Sequence, residues 1–194
     1  MSEMNPLELF VRYGHSCSHI QKDILKKITG EDAMRIEHMC FGDFEPDEPF
    51  LRKSFPVAFE WLDKIADGKP LDEDVVDGYF LFYHNKRIND GQGNYRRVPN
   101  TLRRFCLARV AQVKEVINHD GTPLYRCEDK GELLNSVGRV VKDAAVGDWI
   151  ITHQGLTVRK ISLERLDHLA GLYAKSPGYD AIVRSLEFRH GTSR

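Results

Sequence analysis

The sequence lacks a hydrophobic run long enough to cross a membrane, because no stretch approaches the roughly 20 apolar residues of a spanning helix. It also lacks the basic-then-apolar layout of a signal peptide at its start, where acidic residues come early. The formal net charge is only -1, which argues against nucleic-acid binding driven by overall charge. These absences lead us to expect a cytoplasmic protein without a membrane partner.

Cysteines are few and widely spaced, at Cys17, Cys40, Cys106 and Cys127. In a reducing compartment they are expected to be free thiols or ligands and not a disulfide framework. The sequence also has no phosphate loop, no dinucleotide fingerprint and no convincing nucleophile–base pair. We therefore expect a protein that is not an enzyme. Its 41% hydrophobic and 29% charged residues are typical of a chain that packs a core.

The pattern changes from helical to strand-like near residue 90. The segment NDGQGN, residues 89–94, is rich in turn formers and is the best linker in the chain. We place a domain boundary between it and Pro99, which gives a helical N-terminal domain over 1–94 and a second domain over 99–194. Apolar periodicity and capping residues predict five helices before the boundary. They are Pro6–Tyr13, Ser18–Ile28, Glu31–Cys40, Pro56–Ala66 and Asp72–Ile88.

Alternating β-branched and polar residues dominate the second part and predict five short strands. In order they are CLARVAQVKEVIN, PLYRCE, LLNSVGRVV, DWIITH and LTVRKI. Gly138, within the third, is a candidate bulge or bend. Five strands in about 60 residues predict a small OB-like β-barrel. Ser162 then caps a Leu-rich helix, and a last helix is predicted over Tyr179–Phe188, so the fold class is α+β.

Three pieces of the second part carry a family pattern in a fixed order. They are CLA at 106–108, VGDWIITH at 146–153 and GLTVRKI at 155–161, which runs into the Leu-rich helix. Together they resemble the HypC/HupF family of hydrogenase-maturation chaperones. That family shows Met-Cys-Leu-Ala at its start, then Val-Gly-Asp-Tyr-Val-Leu-Val-His, then Gly-Phe-Ala-Ile and a terminal helix. The resemblance covers about 70 residues.

The resemblance implies a metallocentre-assembly chaperone that handles the Fe(CN)2CO unit of nickel–iron hydrogenases. Its implied partners are a HypD-like maturation protein and the hydrogenase large-subunit precursor. The family's functional residues match Cys106 and His153, so these two form the implied iron-carrier and partner site. Low-spin iron with cyanide and carbonyl ligands accepts a soft thiolate, and neutral imidazole can complete such a site. Arg103, Arg104 and Arg109 are near enough in sequence to favour the thiolate.

Two features depart from the family pattern. The family cysteine follows the initiator methionine, whereas Cys106 lies inside the chain behind about a hundred residues. A free α-amino group therefore cannot serve as a ligand at Cys106. The family's Pro-Gly after the opening residues is replaced by Arg109-Val110, so we expect a different local path of the chain.

A second group of potential ligands lies in the N-terminal half. It comprises His15, Cys17, His19, His38 and Cys40. The first three could converge on one metal in an extended segment, and the two histidines could instead share a helix face. This alternative predicts a zinc or iron sensor. The spacing is not a standard zinc signature, and scattered packing residues are the simpler interpretation.

In a third interpretation the protein has the same barrel but no metal chemistry. It would then be an adaptor or regulatory module that binds protein or nucleic acid. The basic residues Arg96, Arg97, Arg103 and Arg104 could contact RNA through an OB face. A solvated linker or a partner-docking surface explains them more simply. Cys127 and the aromatic residues at 79–83 are interpreted as core.

Overall fold

The computed structural model describes residues 4–176 and residue 179. The chain divides into two compact units between Phe80 and Leu81. The first unit is helical, and the second contains a closed five-stranded β-barrel with short helices. The predicted mixture of a helical N-terminal part and a barrel is therefore confirmed. None of the helices within the described residues is both long and apolar enough to cross a membrane.

Five α-helices begin in the first unit. They are α1 (Pro6–His19), α2 (Gly30–Phe41), α3 (Glu48–Ser54), α4 (Pro56–Ala66) and α5 (Glu73–Gly78). Four of them start at a polar residue whose side chain accepts a hydrogen bond from a backbone N–H of the first turn. These caps are Asn5, Thr29, Asp47 and Asp72. The helices predicted near α1, α2 and α4 are present, and Gly42 ends α2 with a φ of 86°.

One helix prediction in this unit is wrong, and one helix was not predicted. The helix predicted over Ser18–Ile28 is replaced by the end of α1 and a π-helical segment, Ile20–Ile24, that buries no side chain. The chain then turns at Lys26, whose φ is 53°, because the capping box at Thr29 starts a new helix. Helix α3, which was not predicted, begins at Glu48 because the Asp47 side chain caps it.

Aromatic side chains form much of the core of the first unit. The rings of Tyr13 and Phe80 are stacked with centroids 4.2 Å apart. Phe10 packs against Phe55 and Phe59 with centroid distances of 5.4 and 4.7 Å. The Tyr13 hydroxyl donates a 2.9 Å hydrogen bond to the buried Asp77 carboxylate. This bond offsets part of the cost of burying that group.

Helical structure continues from α5 without interruption. A π-helical segment, Tyr79–His84, follows α5 and leads into α6 (Asn85–Asn89). The long helix predicted over Asp72–Ile88 is thus confirmed. A 3-10 turn (Gly93–Arg97) and α7 (Asn100–Phe105) then lead to the barrel, and α8 (Leu163–Leu172) follows it. The domain boundary proposed between residues 94 and 99 predicts that the segments on its two sides fold independently, and it stays a prediction.

All five predicted strands are present. They are β1 (Ala108–His119), β2 (Thr122–Asp129), β3 (Glu132–Val137), β4 (Trp149–His153) and β5 (Leu156–Lys160). The barrel closes in the order β1-β2-β3-β5-β4. The β3–β5 pair is parallel and the others are antiparallel. The first half of β1 pairs with β4 and its second half with β2, with an irregularity between Val113 and Glu115. One long bent strand therefore closes the barrel.

The barrel interior is filled by a small apolar cluster around Tyr125, whose hydroxyl donates to the carbonyl of Val141 at 2.8 Å. A Cβ at Gly138 would lie 2.5 Å from the Tyr125 ring, so only glycine fits there. Since β3 ends at Val137, Gly138 lies directly after the strand, and the chain bends at Arg139 and Val140. Ser162 caps α8 as predicted. The helix predicted over Tyr179–Phe188 lies outside the described residues apart from residue 179.

Candidate functional site

Cys106 and His153 meet at one end of the barrel. His153 is the last residue of β4 and lies opposite Ala108 of β1. Cys106 follows α7 and precedes β1 by two residues, so it does not open the first strand as predicted. The His153 Nε2 atom donates a hydrogen bond to the carbonyl oxygen of Cys106, at 2.8 Å. Because a carbonyl only accepts, this bond fixes the proton of His153 on Nε2.

The environment of the Cys106 thiol does not favour the thiolate form. The residue is 1% exposed, and burial raises the pKa of its thiol to about 11. The Arg109 guanidinium, a predicted source of positive charge, instead bonds Asp129 at 2.8 Å and Glu132 at 2.6 Å. Cys106 is therefore a protonated thiol at neutral pH.

A second histidine, His84, lies against His153. The two ring centroids are 5.3 Å apart and the rings are nearly perpendicular, at 81°. A ring nitrogen of one lies within 4.8 Å of a ring nitrogen of the other. His84 is 3% exposed and His153 is fully buried. The Tyr95 hydroxyl is hydrogen bonded to Nε2 of His84 at 2.9 Å.

The helix that carries His84 is clamped to the start of β1. The Asn85 side-chain amide donates to the Ala108 carbonyl at 2.7 Å, and its oxygen accepts from the Ala108 N–H at 2.9 Å. Ala108 is also the strand partner of His153. The same backbone position thus fixes the approach of both histidines.

Burial decides the protonation of His84. The pKa of His84 is lowered well below its usual value, first because burial penalises the charged ring and then because His153 lies beside it. Neutral imidazole is the form that binds metal ions. The arrangement can therefore offer nitrogen ligands to a metal ion of intermediate softness, such as zinc, nickel or iron.

The N-terminal group of predicted ligands is placed differently. His15, Cys17 and His19 lie on α1, where the His15 and His19 rings contact each other at 5.2 Å. The helical alternative therefore applies, and residues two positions apart on a helix point away from each other. Nδ1 of His38 is 2.9 Å from an Asp43 carboxylate oxygen, and Cys40 is buried. A zinc or iron site built from these five residues stays a prediction.

The remaining predicted residues are dispersed. Cys127 is buried in the barrel cluster, as its core interpretation requires, and burial raises its thiol pKa to about 11. Arg96 and Arg97 are exposed in the 3-10 turn before α7. Arg104 is exposed and lies 3.8 Å from Glu132. Surface pairs of this kind contribute little to stability.

The sequence did not indicate His84, Asn85 or Tyr95 as site residues. His84 follows an aromatic run that was interpreted as core, and no ligand spacing connects it to His153. The available signal was that His84 and Asn85 directly follow an apolar run, because polar residues that are buried with such a run need hydrogen-bond partners.

Comparison with protein-family models, with curated proteins and with solved structures finds no match for the chain.

Proposed function

We propose that the protein is a metallocentre-assembly chaperone of the hydrogenase-maturation type. It would carry an Fe(CN)2CO unit as cargo between a HypD-like partner and the hydrogenase large-subunit precursor. The observation that carries the proposal is the 2.8 Å hydrogen bond between the His153 ring and the Cys106 carbonyl. The two residues that the family pattern singles out are adjacent, although 47 positions separate them in sequence.

The barrel gives this proposal further support. Its strand order, with a parallel β3–β5 pair and β1 shared between β2 and β4, suits an OB-like assignment. The helix after β5 agrees with the terminal helix of the family pattern. Phe105, half-exposed beside Cys106, offers an apolar contact for a partner protein.

The state of the Cys106 thiol constrains how cargo is taken up. Iron ligation by sulfur requires loss of the thiol proton, and burial opposes that loss. We therefore expect uptake only when the bound partner rearranges the segment between α7 and β1. Ligation then releases the thiol proton to solvent or to a base of the partner.

Anaerobic co-expression with hydrogenase-maturation proteins tests the proposal. Infrared spectroscopy of the purified protein should show cyanide and carbonyl bands, which Cys106→Ala removes and Cys127→Ala retains. Cys127 is the matched control because it is an equally buried thiol in the same unit. Absence of the bands from the wild-type protein, together with normal hydrogenase maturation by Cys106→Ala, would show that the carrier role is wrong.

A further inference from the structure

We propose that His84 and His153 form a binding site for a divalent transition-metal ion of the zinc, nickel, cobalt or iron class. The family resemblance implies no role for His84, and the proposal holds whether or not the protein carries an Fe(CN)2CO unit. It rests on the juxtaposition of two buried imidazoles at the end of the barrel.

The distance between the rings suits a shared ion. At the tetrahedral angle, two Zn–N bonds of about 2.0–2.1 Å place the two nitrogens about 3.4 Å apart. Nitrogens of His84 and His153 lie within 4.8 Å of each other. Small rotations of the two side chains therefore bring both nitrogens to one ion. The perpendicular rings, at 81°, allow the two bonds to meet at an angle.

Each ring is also oriented by a hydrogen bond at a ring nitrogen. The Tyr95 hydroxyl bonds Nε2 of His84, and the Cys106 carbonyl accepts from Nε2 of His153. Metal-binding histidines typically have such a partner, which fixes the ring and raises the basicity of the liganding nitrogen. With Nε2 of His153 protonated, Nδ1 is the ligand atom of that ring.

The backbone around the pair is unusual in a way that fits a binding site. His84 is the last residue of the π-helical segment Tyr79–His84, and π-helical turns occur frequently at functional sites. The paired hydrogen bonds of Asn85 to Ala108 hold this segment against β1. Helix and strand geometry thus positions both ligands before any ion is bound.

The ligand type selects the ion. Neutral imidazoles suit zinc, nickel, cobalt and iron, whereas magnesium and calcium require oxygen ligands. Two imidazoles also leave coordination positions of a tetrahedral ion for water or for a donor of another molecule. A site of this kind can receive and release an ion.

The test uses the full-length protein and Zn²⁺ alone as the probe. Equilibrium dialysis followed by elemental analysis should give one ion per wild-type chain. His84→Gln and His153→Gln should each weaken binding by at least about tenfold, since each removes a ligand. His119→Gln is the matched control, because that ring is largely exposed and lies in the β1–β2 turn region. It should bind as the wild type does.

A measurement on the wild-type protein guards against variants that fail to fold. Ligands that bind the native state raise the melting temperature in proportion to the logarithm of their concentration, so Zn²⁺ should raise Tm and Co²⁺ should give the visible bands of a tetrahedral site. Absence of both responses overturns the proposal. Zn²⁺ uptake that is lost in His119→Gln but kept in the folded His84→Gln and His153→Gln variants would be surface binding. That result also overturns the proposal.

Discussion

Two groups of potential metal ligands differ in how their separation in the sequence relates to their distance in the structure. In the first unit, five potential ligands lie within 26 residues of one another, yet α1 turns Cys17 away from His15 and His19. In the second unit, His84 and His153 are 69 positions apart in the sequence and their rings are in contact. Density of ligand residues in a sequence is thus a weaker guide to a site than the topology that joins distant segments.

The largest expected effect on stability comes from removing the paired hydrogen bonds between Asn85 and Ala108, which hold the helical segment of His84 against β1. Asn85→Ala removes two buried hydrogen bonds and leaves the Ala108 N–H and carbonyl without their partner. We expect a loss of about 2–4 kcal/mol in the free energy of unfolding, measured by urea denaturation, and weaker Zn²⁺ binding. Asn89→Ala, one turn later on the same helix and exposed, should change stability by less than about 0.5 kcal/mol. Equal losses in both variants would contradict the clamp.

The cysteines of the two units should differ in reactivity. The pKa of the Cys106 thiol is raised by burial from 9.0 to about 11, so its thiolate fraction at pH 8 is about a hundredfold lower than that of an unshifted thiol. Cys17 is partly exposed. We expect iodoacetamide to label Cys17 first in the native protein, as mass spectrometry would show. The rate at Cys106 should keep rising until about pH 11, and early labelling of Cys106 at pH 8 would contradict the raised pKa.

One tyrosine hydroxyl in each unit allows a matched test of whether Zn²⁺ binding depends specifically on the hydrogen bond to His84. Tyr95→Phe removes the hydrogen bond that orients His84 and should weaken Zn²⁺ binding by about 10- to 100-fold. Tyr13→Phe removes an equally short bond to Asp77 in the first unit. It should cost about 1–3 kcal/mol of stability without changing Zn²⁺ affinity. The comparison fails if isothermal titration calorimetry shows the same affinity loss in both variants.

The smallest effect is expected from the N-terminal histidines. His15→Asn and His38→Asn together should leave the zinc stoichiometry at one ion per chain, because the His15 ring packs against Phe41 and the His38 ring is bonded to Asp43. Elemental analysis checks this. Loss of the ion from the double variant would favour the zinc or iron site predicted from the N-terminal sequence.

The fold was more predictable than the candidate site. Each strand has a local alternating pattern that reports which face is buried, and Thr29, Pro56 and Ser162 mark helix starts through local hydrogen bonds or backbone geometry. The π-helical Ile20–Ile24 segment was missed because its apolar residues are spaced as in an α-helix.

The site depends on contacts that no local pattern encodes. The family pattern indicated His153 and Cys106, and their adjacency follows from the β1–β4 register. His84 could not be predicted, because its position depends on the bonds that Asn85 makes 23 residues further along the chain. The protonated state of Cys106 was also missed, since Asp129 and Glu132 bind the arginine expected to favour a thiolate.

Imidazole nitrogen NMR during a Zn²⁺ titration shows directly whether His84 and His153 bind the ion. The chain has eight histidines, and ¹⁵N shifts report which ring nitrogen binds a metal. We predict a change in the ¹⁵N shift of the liganding nitrogen of His84 and of Nδ1 of His153, with the shifts of His15, His19 and His38 unchanged. Changes confined to the N-terminal histidines, with His84 and His153 unaffected, would contradict it.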